Sequence, residues 1–184
     1  MHPAASIAAQ LMAAAARTAP KAGGKDFLEI VIIDNPEDLK NIAARMTAYA
    51  PDSTNEAFWN RDAANCAQAE AVLLIGLSKF TAAGYDCGAC GFATCKEFVN
   101  ARQAQDKTMG YAGPHCAMRL MDVGAALASA AKSASILSID NRVQQRVGAA
   151  ARALGYIDAE VVMGIPLGVY GKSPFHDRST PAKH

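Results

Sequence analysis

Cysteine is the residue type in this chain whose spacing points most clearly to chemistry. The chain has five cysteines, and four of them fall within residues 87–116. These four follow the pattern C-x2-C-x4-C-x20-C, formed by Cys87, Cys90, Cys95 and Cys116. Four thiolates are what a 4Fe–4S cluster needs, because each of its irons takes one cysteine ligand from the protein. The spacing therefore predicts a 4Fe–4S cluster and, with it, redox or electron-transfer chemistry.

The segment around the first three cysteines suits a cluster-binding loop. Gly88 and Gly91 allow backbone conformations that other residues rarely adopt, and they let N–H groups point at the cluster sulfurs. Thr94 can cap a helix that begins at Cys95, with Glu97 completing a capping box. The positive end of that helix favours a thiolate and an anionic cluster.

Two other kinds of site use the same residue type. A zinc site also takes four thiolates, but it prefers two separate C-x2-C pairs and this chain has one. A thioredoxin-like redox pair at Cys87 and Cys90 would leave Cys95 and Cys116 without a role. Cys66 stands apart from the others. We expect it to be a buried packing residue, and its replacement of Cys116 as the fourth ligand is the alternative.

Composition narrows the classes of function. The 184-residue chain has a net charge of +1 and no basic stripe interleaved with aromatic residues, so we expect no nucleic-acid partner. The longest apolar run, 71–77, is far shorter than the roughly 20 residues that cross a membrane. The N-terminal sequence lacks the pattern of a secretory signal. Cysteines grouped in one region, rather than spread through a disulfide framework, favour a cytoplasmic protein.

Hydrophobic periodicity predicts a layered α/β domain. Aromatic residues are only 7% of the chain and alanine is abundant, which favours closely packed helices. We expect Asp140 to cap the last helix and the chain from Gly164 onward to be extended. The expected strands are 27–33, 71–77 and 159–163, and the expected helices are 4–17, 36–49, 56–68, 95–107, 116–138 and 140–154. The α/β domain would comprise residues 1–83 and 117–184, with a small helical cysteine-rich module inserted at 84–116.

The cysteine segment resembles a known iron–sulfur module. Residues 87–98 read CGACGFATCKEF, which is similar to the CG-x-CG-x-x-T-C-x-x-F pattern of the corrinoid iron–sulfur protein large subunit and of an iron–sulfur component of the electron-transport complex. Both modules have a fourth cysteine downstream. The resemblance implies that Cys87, Cys90, Cys95 and Cys116 are the cluster ligands.

A second resemblance extends over nearly the full length. The chain resembles an uncharacterised family of ferredoxin-domain-containing proteins from anaerobic bacteria and archaea. The stretches that carry the resemblance are 16–24, 65–70, 87–98, 140–142, 164–167 and 171–175. No activity follows from it.

The part of the chain outside the cysteine segment resembles the nitroreductase fold, in which an N-terminal helix is followed by an Ala-Pro loop and a strand. Ala19-Pro20 and the strand predicted at 27–33 follow this order. The resemblance implies an αβα architecture and a homodimer, because nitroreductases bind flavin mononucleotide (FMN) at a dimer interface. Arg17, Lys21 and Lys25 would then meet the flavin phosphate. Alternatively, they are solvated loop charges.

Three hypotheses follow from these patterns. The first is a 4Fe–4S redox protein that transfers electrons between an unknown redox partner and either another partner or a bound flavin. The second is a non-enzymatic interaction module stabilised by a four-cysteine zinc site. The third is a flavin reductase in which the cluster is accessory.

Overall fold

A four-stranded antiparallel sheet lies between two layers of helices in the computed structural model of the protein, which describes residues 2–78 and 80–177. The strand order is β1-β2-β6-β5, and β3 pairs with β4 in a separate hairpin. The strands are β1 (Leu28–Ile33), β2 (Ala71–Leu77), β3 (Gln105–Asp106), β4 (Ala112–Gly113), β5 (Asp140–Asn141) and β6 (Val161–Gly168). The helices are α1 (Pro3–Thr18), α2 (Pro36–Tyr49), α3 (Glu56–Gln68), α4 (Cys95–Ala101), α5 (Ala117–Ile136) and α6 (Gln145–Ala153).

The central strand β2 is buried along its whole length and contributes to a core on each face of the sheet. Leu73 and Ile75 pack in the core that contains α1 and α5, whereas Val72 and Leu74 pack in the core that contains α2, α3 and α6. Successive side chains of a strand point to opposite faces, so a strand covered on both sides must be apolar throughout. The three layers confirm the expected αβα architecture.

Alanine allows helices α1 and α5 to pack closely. Ala8 and Ala9 of α1 are buried in the same core as Ala126 and Ala130 of α5. Small side chains let two helix backbones approach each other, which explains the alanine-rich composition of both helices. No helix in the described residues, the 20-residue α5 included, is both long enough and apolar enough to cross a membrane.

Helix α6 lies directly on the backbone of strand β6. A Cβ atom on Gly148 would overlap the carbonyl of Val162, and a Cβ atom on Gly164 would overlap the side chain of Val147. Glycine is therefore required at both positions for this helix and this strand to approach so closely.

Strand β6 and helix α6 correct two expectations. The chain is extended after Gly164, as expected, but strand β6 runs through Gly164 and Pro166 to Gly168 instead of ending at 163. Asp140 does not cap a helix, because it pairs with Gly168 as part of edge strand β5, and α6 begins only at Gln145. Residues 178–184 of the expected tail lie outside the described residues.

The segment between β2 and α5 is less helical than expected. Helix α4 ends at Ala101 instead of continuing to 107, because Arg102 takes an extended conformation and the β3–β4 hairpin follows. Helix α5 begins immediately after Cys116, as expected, and ends at Ile136. This segment carries three of the candidate metal ligands, and the fourth lies at its end.

Candidate metal centre and neighbouring sites

The loop with the first three cysteines turns at two glycines. Gly88 and Gly91 have φ angles of +73° and +87°, a region that strongly favours glycine. The N–H of Gly91 donates to the carbonyl oxygen of Gly88 at 2.9 Å, which closes a tight turn. The carboxylate of Asp86 accepts a 2.6 Å hydrogen bond from the backbone N–H of Cys95. The beginning of the loop is therefore fastened to the start of helix α4.

The capping box expected at the start of α4 is present. The N–H of Glu97 donates to Oγ1 of Thr94 at 3.2 Å, and the N–H of Thr94 donates to Oε2 of Glu97 at 3.2 Å. These two bonds satisfy backbone groups that a helix start leaves unpaired. They fix the direction in which the chain leaves Cys95.

The four candidate ligands differ in exposure. Cys87 is exposed, Cys90 and Cys95 are partly exposed, and Cys116 is only 3% exposed at the N-cap of α5. All four are free thiols, and none makes a side-chain hydrogen bond to another described residue. Cys116 lies at the N-terminus of the 20-residue helix α5.

The side chains are not gathered around one point in this conformation. Across residues 2–78 and 80–177, no three His, Cys, Asp or Glu side chains are arranged so that they could hold a metal ion. The donor set fits an iron–sulfur cluster in chemistry and number.

Cys66 is a core residue, as expected. It is fully buried between α2, α3 and the sheet, and its Sγ lies 3.8 Å from the carbonyl oxygen of Leu39, to which it donates a weak hydrogen bond. Burial raises the pKa of the Cys66 thiol to about 12. A thiol that stays protonated in an apolar core is a poor metal ligand and a poor nucleophile.

His115 is buried, whereas we expect a surface histidine from its place in the sequence. Its Nε2 lies 2.9 Å from Oε2 of Glu160, although the pair lacks the alignment of a hydrogen bond. The pKa of His115 is lowered, mainly because burial disfavours the charged imidazolium. The charge of Glu160 raises the pKa in part, and the charge of Arg102 lowers it. The residue that precedes Cys116 is thus in an enclosed, charge-paired environment that local sequence did not indicate.

Of the three basic residues expected at a flavin phosphate, Arg17 lies in the last turn of α1, and Lys21 and Lys25 lie in the turn that follows. Arg17 and Lys21 are engaged in hydrogen bonds. Arg17 donates to Asp26 at 2.6 Å and to the carbonyl oxygen of Leu28 at 2.8 Å. The ammonium of Lys21 donates to three main-chain carbonyl oxygens at the end of α1, those of Ala16, Arg17 and Ala19. Lys25 is exposed.

A buried ion pair on α5 holds the same turn. Asp122 accepts a 2.7 Å hydrogen bond from the N–H of Ala22, and Arg119 donates to the carbonyl oxygen of Ala22 at 2.9 Å. Arg119 and Asp122 also bind each other at 2.9 Å, and Arg119 is 1% exposed. Sequence reasoning missed this contact. Its signal was a pair of opposite charges three residues apart on a helix expected to be buried.

An open cleft of about 620 Å³ lies on the side of the sheet where β6 begins. Its lining includes Arg45, Tyr49, Asp106, Arg152 and Glu160. Because Glu160 also contacts His115, the cleft borders the segment that leads to Cys116.

Comparison with known proteins decides the family. A model described as "Uncharacterized protein containing a ferredoxin domain" matches residues 112–178, and a model described as "Putative Fe-S cluster" matches residues 83–109. A protein of Archaeoglobus fulgidus, described as "Uncharacterized protein", is 46% identical over 173 residues, which cover 94% of this chain and 91% of its own length. The chain belongs to the family of uncharacterised proteins that contain a ferredoxin domain.

This ferredoxin-domain protein has a nitroreductase-like fold. A nitroreductase with bound FMN from Desulfitobacterium hafniense DCB-2 superposes with a TM-score of 0.60 at 15% identity, over 90% of this chain and 78% of that one. A BluB-like flavoprotein from Clostridium difficile 630 gives 0.55 at 16% identity, over 97% and 84%. At such identities the likeness establishes the fold alone. It confirms the expected fold class, which was drawn from the α1 helix, the Ala-Pro loop and the strand that follows.

Proposed function

We propose that this protein is a redox protein that carries one 4Fe–4S cluster on Cys87, Cys90, Cys95 and Cys116 and transfers single electrons. The observation that carries the proposal is the distribution of these four free thiols. Three lie in the glycine-hinged loop within the segment that matches the iron–sulfur model, and the fourth lies in the segment that matches the ferredoxin-domain model. When bound, such a cluster accepts and donates one electron at a potential set by burial, hydrogen bonds and nearby charge.

The surrounding residues suit a protected metal centre. Phe98 of α4 is 1% exposed, and its ring centroid lies 5.3 Å from that of Phe92 in the cysteine loop and 5.4 Å from that of Phe80. These rings form an apolar wall beside the loop, which excludes water from one side. Cys116 is buried and held at the start of α5, whereas the loop thiols are more exposed. In this proposal Cys116 is the fixed ligand, and the loop that carries the other three thiols closes towards it.

Electron exchange requires a partner within reach. The exposed Cys87 side of the loop is the proposed contact point for a redox partner protein. Four of the five cysteines are grouped in one segment rather than spread through a disulfide framework, which favours a reducing compartment, and we propose a cytoplasmic location.

FMN is the second proposed group, because the fold is similar to that of a nitroreductase with bound FMN. The turn after α1 would take the flavin phosphate through Lys25 together with Arg17 and Lys21. Arg17 is now paired with Asp26, and Lys21 binds the end of α1, so phosphate would have to compete with these bonds. Flavin binding to this turn would therefore weaken the Arg17–Asp26 pair.

Anaerobic purification followed by iron, sulfide, zinc and flavin assays tests both groups. We expect about four irons and four sulfides per chain and a brown colour that bleaches with dithionite. A colourless protein with one zinc per chain would contradict the cluster and favour the alternative of an interaction module with a four-cysteine zinc site. A yellow colour that survives loss of the cluster would support FMN.

A further inference from the structure

Arg102 joins the two parts of the candidate metal centre. It follows helix α4, which begins at Cys95, and its Nε donates to the carbonyl oxygen of Pro114 at 2.9 Å. Pro114 lies two residues before Cys116. The side chain of Arg102 is only 12% exposed, but its bond to the exposed Pro114 is accessible to solvent. One guanidinium thus ties the helix after the cysteine loop to the segment that carries the last cysteine.

Glu160, which immediately precedes strand β6, links Arg102 to the sheet. Its Oε2 accepts a 2.6 Å hydrogen bond from Nη2 of Arg102 and lies 2.9 Å from Nε2 of His115. The main chain of Glu160 is itself anchored, because its N–H donates to Leu77 and its carbonyl accepts from Ala112. The carboxylate is therefore held in place by the sheet and by the hairpin that precedes Cys116.

An aromatic ring encloses this contact. The guanidinium of Arg102 lies 4.0 Å from the ring centroid of Phe80, and Phe80 packs edge-on against Phe98 of α4. The Phe80 ring centroid is 6.0 Å from that of His115. An arginine between an aromatic face, a carboxylate and a carbonyl oxygen is fixed in both position and orientation.

We propose that Arg102 and Glu160 are positioning residues that hold Cys116 in place relative to the cysteine loop, so that the fourth ligand is available when the other three close. This inference rests on the proposed four-cysteine ligand set. Lysine cannot replace Arg102, since a single ammonium group cannot reproduce a fork that bonds a carbonyl oxygen and a carboxylate at once.

Two variants and one matched control test the proposal. Arg102→Lys removes the fork, and Glu160→Gln removes the charge that Arg102 binds. Arg152→Lys is the control, because Arg152 makes a similar fork, with Nε on the carbonyl oxygen of Ala159 and its two terminal nitrogens on Asp106. This second fork ties helix α6 to β3. Arg152 is attracted electrostatically to Glu160, but its hydrogen bonds go to Ala159 and Asp106 and not to Glu160 or Pro114.

The first measurement uses the metal-free protein. Alkylation of each cysteine by iodoacetamide is followed by mass spectrometry, with Cys66 as an internal reference for global unfolding. We expect Cys116 to react about tenfold faster in Arg102→Lys and in Glu160→Gln than in the wild-type protein, with Cys66 unchanged. In Arg152→Lys we expect Cys116 to remain as protected as in the wild-type protein.

The second measurement uses anaerobically reconstituted protein and an iron chelator. We expect iron to be released about tenfold faster from Arg102→Lys than from the wild-type protein and from Arg152→Lys, since loss of a residue that orients a metal ligand weakens retention on that scale. Equal release from the two lysine variants, or equal protection of Cys116 in both, would overturn the proposal.

The two measurements also separate this inference from the proposed function. If the wild-type protein takes up no iron, the proposed function fails, and the alkylation rates alone decide whether Arg102 fixes Cys116. If Arg102→Lys does not fold, as judged by circular dichroism, Glu160→Gln decides in its place.

Discussion

The carboxylate of Asp122 on helix α5 accepts a hydrogen bond of 2.7 Å from the backbone N–H of Ala22, in the turn after α1. The same carboxylate binds the buried guanidinium of Arg119, which in turn donates to the carbonyl oxygen of Ala22. The turn that carries Lys21 and Lys25, two of the three candidate phosphate-binding residues, is therefore held by a buried charged pair.

Removal of Asp122 should be strongly destabilising. Asp122→Ala leaves the guanidinium of Arg119 buried without its counter-charge, and we expect the free energy of unfolding to fall by about 3–5 kcal/mol. Urea denaturation measures this change. Glu37→Ala is the control, because its 3.8 Å pair with Lys40 is exposed, and the expected change is below about 0.5 kcal/mol. Similar losses in both variants would contradict the role assigned to the buried pair.

Substitution by alanine should have opposite effects on the free energy of unfolding at two helix glycines. Gly148→Ala places a Cβ against the carbonyl of Val162, and we expect a loss of about 1–3 kcal/mol in the free energy of unfolding. Gly124 on α5 has no neighbouring atom within 4 Å of the position of a Cβ, so Gly124→Ala should stabilise the protein by up to about 1 kcal/mol. Thermal or urea unfolding compares them. A neutral Gly148→Ala would mean that α6 does not lie so close to β6.

Cysteine reactivity should separate Cys66 from the loop thiols. The Cys66 thiol has a pKa of about 12, so almost no thiolate is present at pH 8. The Cys66 side chain is also fully buried. In the metal-free protein, we expect iodoacetamide to modify Cys87 within minutes and to leave Cys66 unmodified until urea is added. Modification of Cys66 at the rate of Cys87 under native conditions would show that it does not lie in the core.

Acid should weaken the turn after α1. Burial alone would raise the pKa of Asp26, but the hydrogen bonds from Arg17 and from the N–H of Leu28, with the charges of Arg17 and Lys21, lower it below its ordinary value of 3.8. A group whose folded pKa is lowered contributes stability above the unfolded pKa, and this contribution is lost as the pH falls through the folded pKa. Since both side chains of the Arg17–Asp26 pair are partly exposed, we expect a contribution below about 1 kcal/mol.

Asp26→Asn checks this contribution. We expect it to be less stable than the wild-type protein in urea at neutral pH and the two to converge as the pH falls through the lowered pKa of Asp26. A stability difference that is unchanged at low pH would contradict the assignment.

Features fixed by neighbouring residues were the ones that the sequence predicted well. The capping box of Thr94 and Glu97 and the apolar strand β2 depend on residues that are close in the chain. The end of α4 and the burial of His115 were missed. Arg102, which follows α4, and His115 both contact Glu160, which lies 58 residues after Arg102 in the chain. The start of α6 was missed for the same reason, because β5 forms only where β6 is available for pairing.

For the cysteines, too, the sequence predicted local features and missed those that depend on distant residues. Spacing alone singled out Cys87, Cys90, Cys95 and Cys116, and it separated them from Cys66, which the structure places in the core. What spacing could not show is that Cys116 is buried and tied through Pro114 to Arg102, whereas the loop thiols are more exposed. That asymmetry arises from packing between distant segments.

Iron content of single-cysteine variants tests the central claim most directly. Wild-type protein, Cys90→Ser, Cys116→Ser and Cys66→Ser are reconstituted side by side under anaerobic conditions, and iron and sulfide are measured per chain. The account predicts about four irons in the wild-type protein and nearly the same in Cys66→Ser, with loss of the 4Fe–4S absorption in the other two variants. Equal iron in Cys66→Ser, Cys90→Ser and Cys116→Ser would contradict it.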